Sequence, residues 1–108
     1  MSIIQKIFAG RWIVGSSTKE VISKAVILSK INLNSMINYL GEDIKDLDSS
    51  KKAVNIYLKL LKEINKNKIN SSIAIKPTQI GLLISKELLN KNYYKIIKEA
   101  KKNNIFVW

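Results

Sequence analysis

Short apolar runs alternate with segments of helical periodicity along this chain, and that order constrains the fold more than any other feature. Residues 31–40 and 71–75 are each apolar, short and followed by a breaker, so both are predicted to be strands. Residues 105–108 form a third apolar run, which predicts a strand buried on both faces. Because strands that are separated by helices pair in parallel, the sequence predicts an α/β fold with three parallel strands.

Three segments have the spacing of amphipathic helices. Ser17 and Glu20 have the spacing of a capping box, which predicts a first helix over residues 18–30. A second helix is predicted to begin at Ser49 or Ser50, and a third is predicted to end before Asn103. The apolar positions at helical intervals in these two helices are Val54, Tyr57, Leu58, Leu61 and Ile64, and then Leu89, Tyr93, Ile96, Ile97 and Ala100.

The chain is long enough for one domain, and its residue types exclude several kinds of chemistry. Its 108 residues contain no repeat and no Pro/Gly/Ser linker, which predicts a single domain. Neither cysteine nor histidine is present, so disulfides, zinc sites and histidine-based triads are excluded, and no metal site is expected. Gln5, Lys6 and Arg11 interrupt the apolar N-terminus before it could span a membrane, which favours a cytoplasmic protein.

The net charge of +11 is the most conspicuous compositional feature. Taken alone it suggests a polyanionic partner, and a small basic α/β module that binds nucleic acid is one alternative function. Lysine, isoleucine and asparagine are abundant, however, and all three have AT-rich codons. A solvated lysine surface therefore explains the charge more simply, and nucleic acid is not the expected partner. A second alternative is an assembly protein whose open sheet edges pair with a copy of itself or with another chain.

Polar side chains follow the first two predicted strands, where the functional rim of a parallel α/β fold lies. Glu42 follows the first strand and Lys76 follows the second. An acid and a base on neighbouring loops could bind a zwitterion, form a plain ion pair or simply be solvated. Glycine-rich phosphate motifs are absent, and the aromatic residues do not alternate with basic ones as a nucleic-acid platform would, so most of them are predicted to lie in the core.

Four segments of the chain together resemble one known protein family. The sequences Asn-Tyr-Leu-Gly-Glu at residues 38–42 and Ile-Lys-Pro-Thr-Gln-Ile-Gly at residues 75–81 resemble the ends of the first two strands of the proline dehydrogenase family. Residues 8–15 resemble the segment before the family's leading helix, and residues 104–108 resemble the strand that leads into its Asp-Met-Glu motif. The order and spacing of these segments are compatible with the family along nearly the whole chain.

The resemblance implies a fragment of a larger fold. Proline dehydrogenases are distorted (β/α)8 TIM-like barrels with FAD across the C-terminal rim of the strands. Residues 1–108 would then be a single partial domain, the N-terminal portion of that barrel, with a leading helix followed by β-α-β-α-β. Open sheet edges would make this fragment marginal in stability, and self-association or a complementing second chain would cover them.

The same resemblance implies the function of the parent enzyme. It would oxidise L-proline to 1-pyrroline-5-carboxylate with FAD in proline catabolism, and a membrane quinone would take the electrons. The FAD-binding and catalytic residues correspond to family segments beyond Trp108, so no catalytic residue is assigned in this chain. Alone it is expected to be inactive and to bind no FAD, whether as a truncated product, an incomplete sequence or one half of a split enzyme. A cytoplasmic location with peripheral contact at the inner face of the membrane is compatible with this role.

Two residues take substrate-site roles from the resemblance. Lys76 matches the lysine that forms an ion pair with the proline carboxylate, and Glu42 matches the glutamate that pairs with an arginine to close the site. Asn38 stands where the family usually has aspartate, so an ion pair made by that carboxylate is not expected here. Pro77 replaces a residue that is usually aliphatic, which predicts a different backbone path directly after Lys76.

Overall fold

The structure is a computed structural model that describes residues 17–39, 41 and 43–108. In this part of the chain, three helices pack with a small parallel sheet, so the predicted α/β class is confirmed. Residues 8–15, which carry part of the family resemblance, lie outside the described residues. None of the helices within the described ranges combines the length and the apolar character that crossing a membrane requires.

Helix α1 spans Thr18–Lys30, as the capping pattern predicts. The Ser17 hydroxyl accepts a hydrogen bond from the Glu20 backbone N–H at 3.2 Å, which satisfies one of the donors that a helix N-terminus leaves unpaired. Glu20 also forms an ion pair with Lys24 one turn later. The side chains that α1 buries in the core are Val21, Ile22, Ala25 and Leu28.

Two parallel strands form the sheet. Strand β1 spans Ser35–Asn38, and strand β2 spans Ser71–Ala74. Strand β1 is shorter than predicted because residues 31–34 are used to turn the chain. Ile31 caps the end of α1, and Asn32 adopts a left-handed conformation with φ 61°, which ends the helix before the strand can begin.

Helix α2 spans Leu47–Lys66, and helix α3 spans Lys86–Lys102. Helix α2 begins before the predicted Ser49 or Ser50, and α3 begins before the first position of its apolar pattern, Leu89, because a polar cap precedes each pattern. Asp46 accepts the Ser49 N–H at 2.8 Å, and Ser85 accepts the Leu88 N–H at 3.1 Å. The hydrogen bond from Ser49 also holds the pKa of the Asp46 carboxyl below its ordinary value.

The third predicted strand is reduced to a single parallel bridge between Val107 and Ile73. The Trp108 N–H donates to the Ile73 carbonyl at 2.9 Å, and the Ile75 N–H donates to the Trp108 carbonyl at 3.1 Å. The prediction of a strand buried on both faces is wrong, since Phe106 and Trp108 are 62% and 66% exposed. Val107 packs against the core, and the alternation of side chains along an extended segment turns its two neighbours to the other side.

The core lies between the helices and one face of the sheet. Ile37 and Ile73, which are paired in the register, are fully buried among the helices. The alternate strand residues lie on the opposite face, here named the open face, and they are Met36, Asn38, Ser72 and Ala74. Helix α2 contributes the largest buried set, which consists of Ser50, Ala53, Val54, Tyr57, Leu60, Leu61 and Ile64. The apolar face predicted for α2 is confirmed, with Leu58 at its partly buried margin.

Candidate functional site

The C-terminal ends of β1 and β2 form the rim on which Lys76 lies. Lys76 follows β2 by two residues in an extended conformation, with φ −115° and ψ 129°, so the strand alternation places it on the side of the open face. Asn38 is paired in register with Ala74 and lies on the same face at the end of β1. A 3₁₀ turn, Pro77–Gln79, comes next and ends the strand, as predicted, because proline has no N–H for the ladder.

A buried carboxamide joins the two strand ends. The Gln79 side chain is fully buried, and its Nε2 donates to the carbonyls of Tyr39 and Gly41, at 2.5 and 2.7 Å. Its Oε1 accepts from the Tyr57 hydroxyl at 2.7 Å and from the Lys76 backbone N–H at 3.3 Å. All four hydrogen-bonding positions of the carboxamide are therefore used. We name Gln79 and these four partners the rim hub.

Tyr57 is the helical member of the rim hub. It lies on the buried face of α2, as the periodicity predicts, and its hydroxyl accepts the Tyr39 N–H at 3.1 Å while donating to Gln79. Burial raises the pKa of Tyr57 to about 12, although both hydrogen bonds act in the opposite direction. The hydroxyl is therefore neutral at physiological pH and acts as a structural donor and acceptor rather than as a general acid or base.

The segment after the 3₁₀ turn is fixed by two contacts with α3. Gly81 has φ 128°, and a Cβ added there would lie 2.9 Å from the backbone nitrogen of Leu89, so the position requires glycine. Asn92 is buried in α3, and its Nδ2 donates to the Ile80 carbonyl at 2.8 Å. These contacts hold Ile80 and Gly81, which follow the rim hub in the chain, against α3.

The two predicted site residues have different outcomes. Lys76 is partly buried and lies at the C-terminal end of β2, where the sequence predicts it. Glu42 lies outside the described residues, so the placement of an acid and a base on neighbouring loops stays a prediction. Of its neighbours, Gly41 is a member of the rim hub, and Asp43 adopts a left-handed conformation with φ 52°.

Sequence reasoning missed the role of Gln79 and assigned too many aromatic residues to the core. A glutamine three residues after the cap of a turn is a capping-box position, and this spacing from Lys76 was the one local signal that could have identified Gln79. The aromatic prediction is right for Tyr57. It is wrong for the side chains that are half or more exposed, which are Tyr93, Tyr94, Phe106 and Trp108.

The side-chain polar groups of Gln79 and Tyr57 offer no unused position to a flavin cofactor. The carboxamide and the tyrosine hydroxyl at the rim, which could have bonded to a flavin, are already used within the rim hub. Three surface cavities of about 260 to 360 Å³ lie between the helices, and neither Lys76 nor Gln79 lines them. Among the residues that the structure describes, no three acidic side chains are grouped to hold a metal ion.

Comparison of the sequence with curated proteins finds relatives that are named proline dehydrogenase. No protein-family model matches the chain. Proline dehydrogenase 2 of Bacillus subtilis, in subspecies natto and in strain 168, is 26% identical over 102 residues, which is 94% of this chain and 34% of that protein. Proline dehydrogenase 1 of strain 168 is 26% identical over 99 residues, covering 92% of this chain and 33% of its own length. The resemblance predicted from the four segments is confirmed, and the chain spans about a third of the length of the curated relatives that it matches.

Proposed function

We propose that this chain, which is similar to proline dehydrogenases along nearly its whole length, binds the substrate carboxylate in a flavoenzyme that oxidises L-proline to 1-pyrroline-5-carboxylate. The observation that carries the proposal is the position of Lys76, an ammonium group that follows β2 on the side of the open face. In parallel α/β folds, ligands bind at this end of the strands.

Lys76 is proposed to bind the substrate through charge. Proline is a zwitterion near neutral pH, so its carboxylate offers two acceptor oxygens to an ammonium group. The carboxylate is not part of the C–N bond that is oxidised, so an ion pair with it stabilises the bound substrate and the transition state alike. Lys76 is therefore proposed to lower KM and is not proposed as a catalytic residue.

The remaining parts of the reaction are proposed for the whole protein and not for the described residues. Glu42 is proposed to close the site by pairing with an arginine, as the family resemblance implies. FAD is proposed as the oxidant and a quinone as the final electron acceptor. Because this chain spans a third of its relatives' length, we propose that further polypeptide, continuous with it or in a second chain, supplies the flavin contacts.

A ligand titration of the 108-residue chain tests the role of Lys76 directly. L-proline should shift the backbone NMR signals of Lys76, Gln79 and Gly41, whereas pyrrolidine, which lacks the carboxylate, should not. Lys76→Ala should abolish the shifts. Lys52→Ala, which removes an exposed lysine of α2, is the matched control and should leave them unchanged. Equal shifts with pyrrolidine, or shifts that survive Lys76→Ala, would contradict the proposal.

The coding sequence next to this one tests the proposal for the whole protein. If further polypeptide completes the barrel, the sequence that follows the codon for Trp108, in any frame or in a neighbouring gene, should encode a continuation with an Asp-Met-Glu motif. Unrelated sequence over the next several hundred bases would argue against it.

A further inference from the structure

One side chain controls the geometry between the two rim segments that carry the proposed substrate residues. Gln79 contacts the β1 side through two carbonyl groups, those of Tyr39 and Gly41. Gly41 directly precedes Glu42 in the chain, and Tyr39 lies two residues before Gly41. On the β2 side, Gln79 Oε1 accepts the Lys76 N–H, and the Gln79 backbone N–H donates to the Lys76 carbonyl at 2.9 Å. Both backbone polar groups of Lys76 are therefore bonded to Gln79.

The partners of the Gln79 carboxamide require a donor at one side-chain atom and an acceptor at the other. Its Nε2 faces two carbonyl oxygens, which are acceptors, and its Oε1 faces the hydroxyl of Tyr57 and a backbone N–H, which are donors. A carboxylate of the same shape would place an acceptor against two acceptors in a buried site, which costs free energy and repels the β1 segment. Glutamine satisfies all four partners, and glutamate would satisfy only the donors.

We infer that Gln79 is the positioning residue of the proposed proline site: its carboxamide sets Lys76 at a fixed distance from the β1 segment that leads to Glu42. The inference rests on the proposed function for the identity of the substrate. It does not rest on that function for the tether itself, which consists of the hydrogen bonds described above. Gln79 is buried and acts through Lys76 and the β1 segment without touching the substrate.

The isosteric variant Gln79→Glu separates positioning from mere stability. Near neutral pH, the folded fraction of Gln79→Glu should bind L-proline about tenfold more weakly than wild type, because the β1 segment is displaced from Lys76. Lowering the pH to about 5 should restore part of the affinity, since burial raises the pKa of the introduced carboxyl and its protonated form can donate to one carbonyl. Tyr57 is the titratable side chain that bonds to this group, and it stays neutral over this range. Gln79→Leu cannot donate and should show no recovery.

Asn92→Asp is the matched control. It introduces the same change of a buried carboxamide, but its partner is the Ile80 carbonyl and not the rim. It should reduce the stability while leaving the proline affinity of the folded protein unchanged. If Gln79→Glu does not fold, Tyr57→Phe replaces it as the test, because it removes one partner of Gln79 and the acceptor of the Tyr39 N–H. The affinity for L-proline is then expected to weaken by about threefold.

The outcomes are distinguishable. A folded Gln79→Glu that binds L-proline as wild type does would overturn the inference, as would Tyr57→Phe with unchanged affinity. If the wild type shows no Lys76-dependent response to proline, the proposed function fails. The tether, which consists of the hydrogen bonds of Gln79, is then tested without ligand. Gln79→Glu should still shift the amide NMR signals of Lys76 and Gly41, and Asn92→Asp should not. A Gly41 signal that is unshifted in Gln79→Glu would overturn the tether.

Discussion

The two sides of the β2 strand are held in very different ways. Toward β1, the rim hub buries a carboxamide with four partners and a tyrosine hydroxyl with two. Toward the third segment, one bridge at Val107 is accompanied by aromatic side chains that are mostly exposed. Hydrogen bonds exist on both sides. Those of the rim hub are buried or partly buried, whereas those to the third segment lie beside the exposed side chains of Phe106 and Trp108. The difference predicts that burial, and not the number of hydrogen bonds, decides which neighbour of β2 is more firmly fixed.

The largest effect is expected from Gly81→Ala, in the segment that follows the rim hub and packs against α3. The added Cβ would approach the backbone of Leu89 and Leu88, which cannot move as a side-chain tip can, and φ 128° is strained for alanine. We expect a loss of about 3 kcal/mol or more in the free energy of unfolding, measured by urea denaturation.

Gly41→Ala is the matched control for this substitution. A Cβ at Gly41 would meet the Tyr39 ring at 3.4 Å, which is an ordinary contact. The expected loss is below about 1 kcal/mol. Equal losses for the two glycines would contradict the claim that the segment after the rim hub is fixed by close backbone packing.

A smaller, pH-dependent effect is expected from Tyr57. Its pKa in the folded chain is about 12, above the ordinary value of 10.0, because burial disfavours the phenolate. A raised folded-state pKa contributes stability that is fully present below about pH 10 and is lost as the pH rises through about 12. The stability of the wild type relative to Tyr57→Phe should therefore fall by roughly 2 to 3 kcal/mol across this window.

Urea denaturation of both proteins at the same series of pH values measures this difference. The lysines titrate in both proteins and largely cancel in the comparison. A wild-type advantage that stays constant from about pH 9 to 12 would mean that Tyr57 is not shielded from water as the rim hub requires.

The same contrast explains which features the sequence could predict. Helix α1 has the predicted ends because its cap and its apolar pattern lie within one short segment. The position of Lys76 at the end of the strand was predictable because Pro77, which follows it, cannot donate to a sheet ladder. For Gln79, the local spacing could have indicated only the bond to Lys76, because the other partners Tyr57, Gly41 and Tyr39 lie 22, 38 and 40 positions away. The prediction that the third strand is buried on both faces failed for the same reason. Burial of that strand depends on what covers the open face and not on the apolar run itself.

Hydrogen exchange compares the two sides of β2 directly. The Tyr39 N–H is bonded to the buried Tyr57 hydroxyl, whereas the Trp108 N–H is bonded to the Ile73 carbonyl beside an exposed indole. The Trp108 amide should exchange about 10- to 100-fold faster than the Tyr39 amide after correction for intrinsic rates. Equal protection in a monomer would contradict the contrast and would indicate that the third segment unfolds only with the rest of the domain.

The smallest effect is expected from the one side-chain hydrogen bond that ties Trp108 to the sheet. The indole Nε1–H donates to the Ser72 hydroxyl at 3.0 Å, and the ring packs edge-on against Phe106 with centroids 4.8 Å apart. Trp108→Phe removes the donor but keeps an aromatic ring, and Ser72→Ala removes the acceptor. Because Trp108 is 66% exposed, water competes for both groups, so the coupling energy should be only about 0.5 kcal/mol in a double-mutant cycle. A coupling above about 1.5 kcal/mol would mean that the indole is shielded from water in solution, and that something covers the open face.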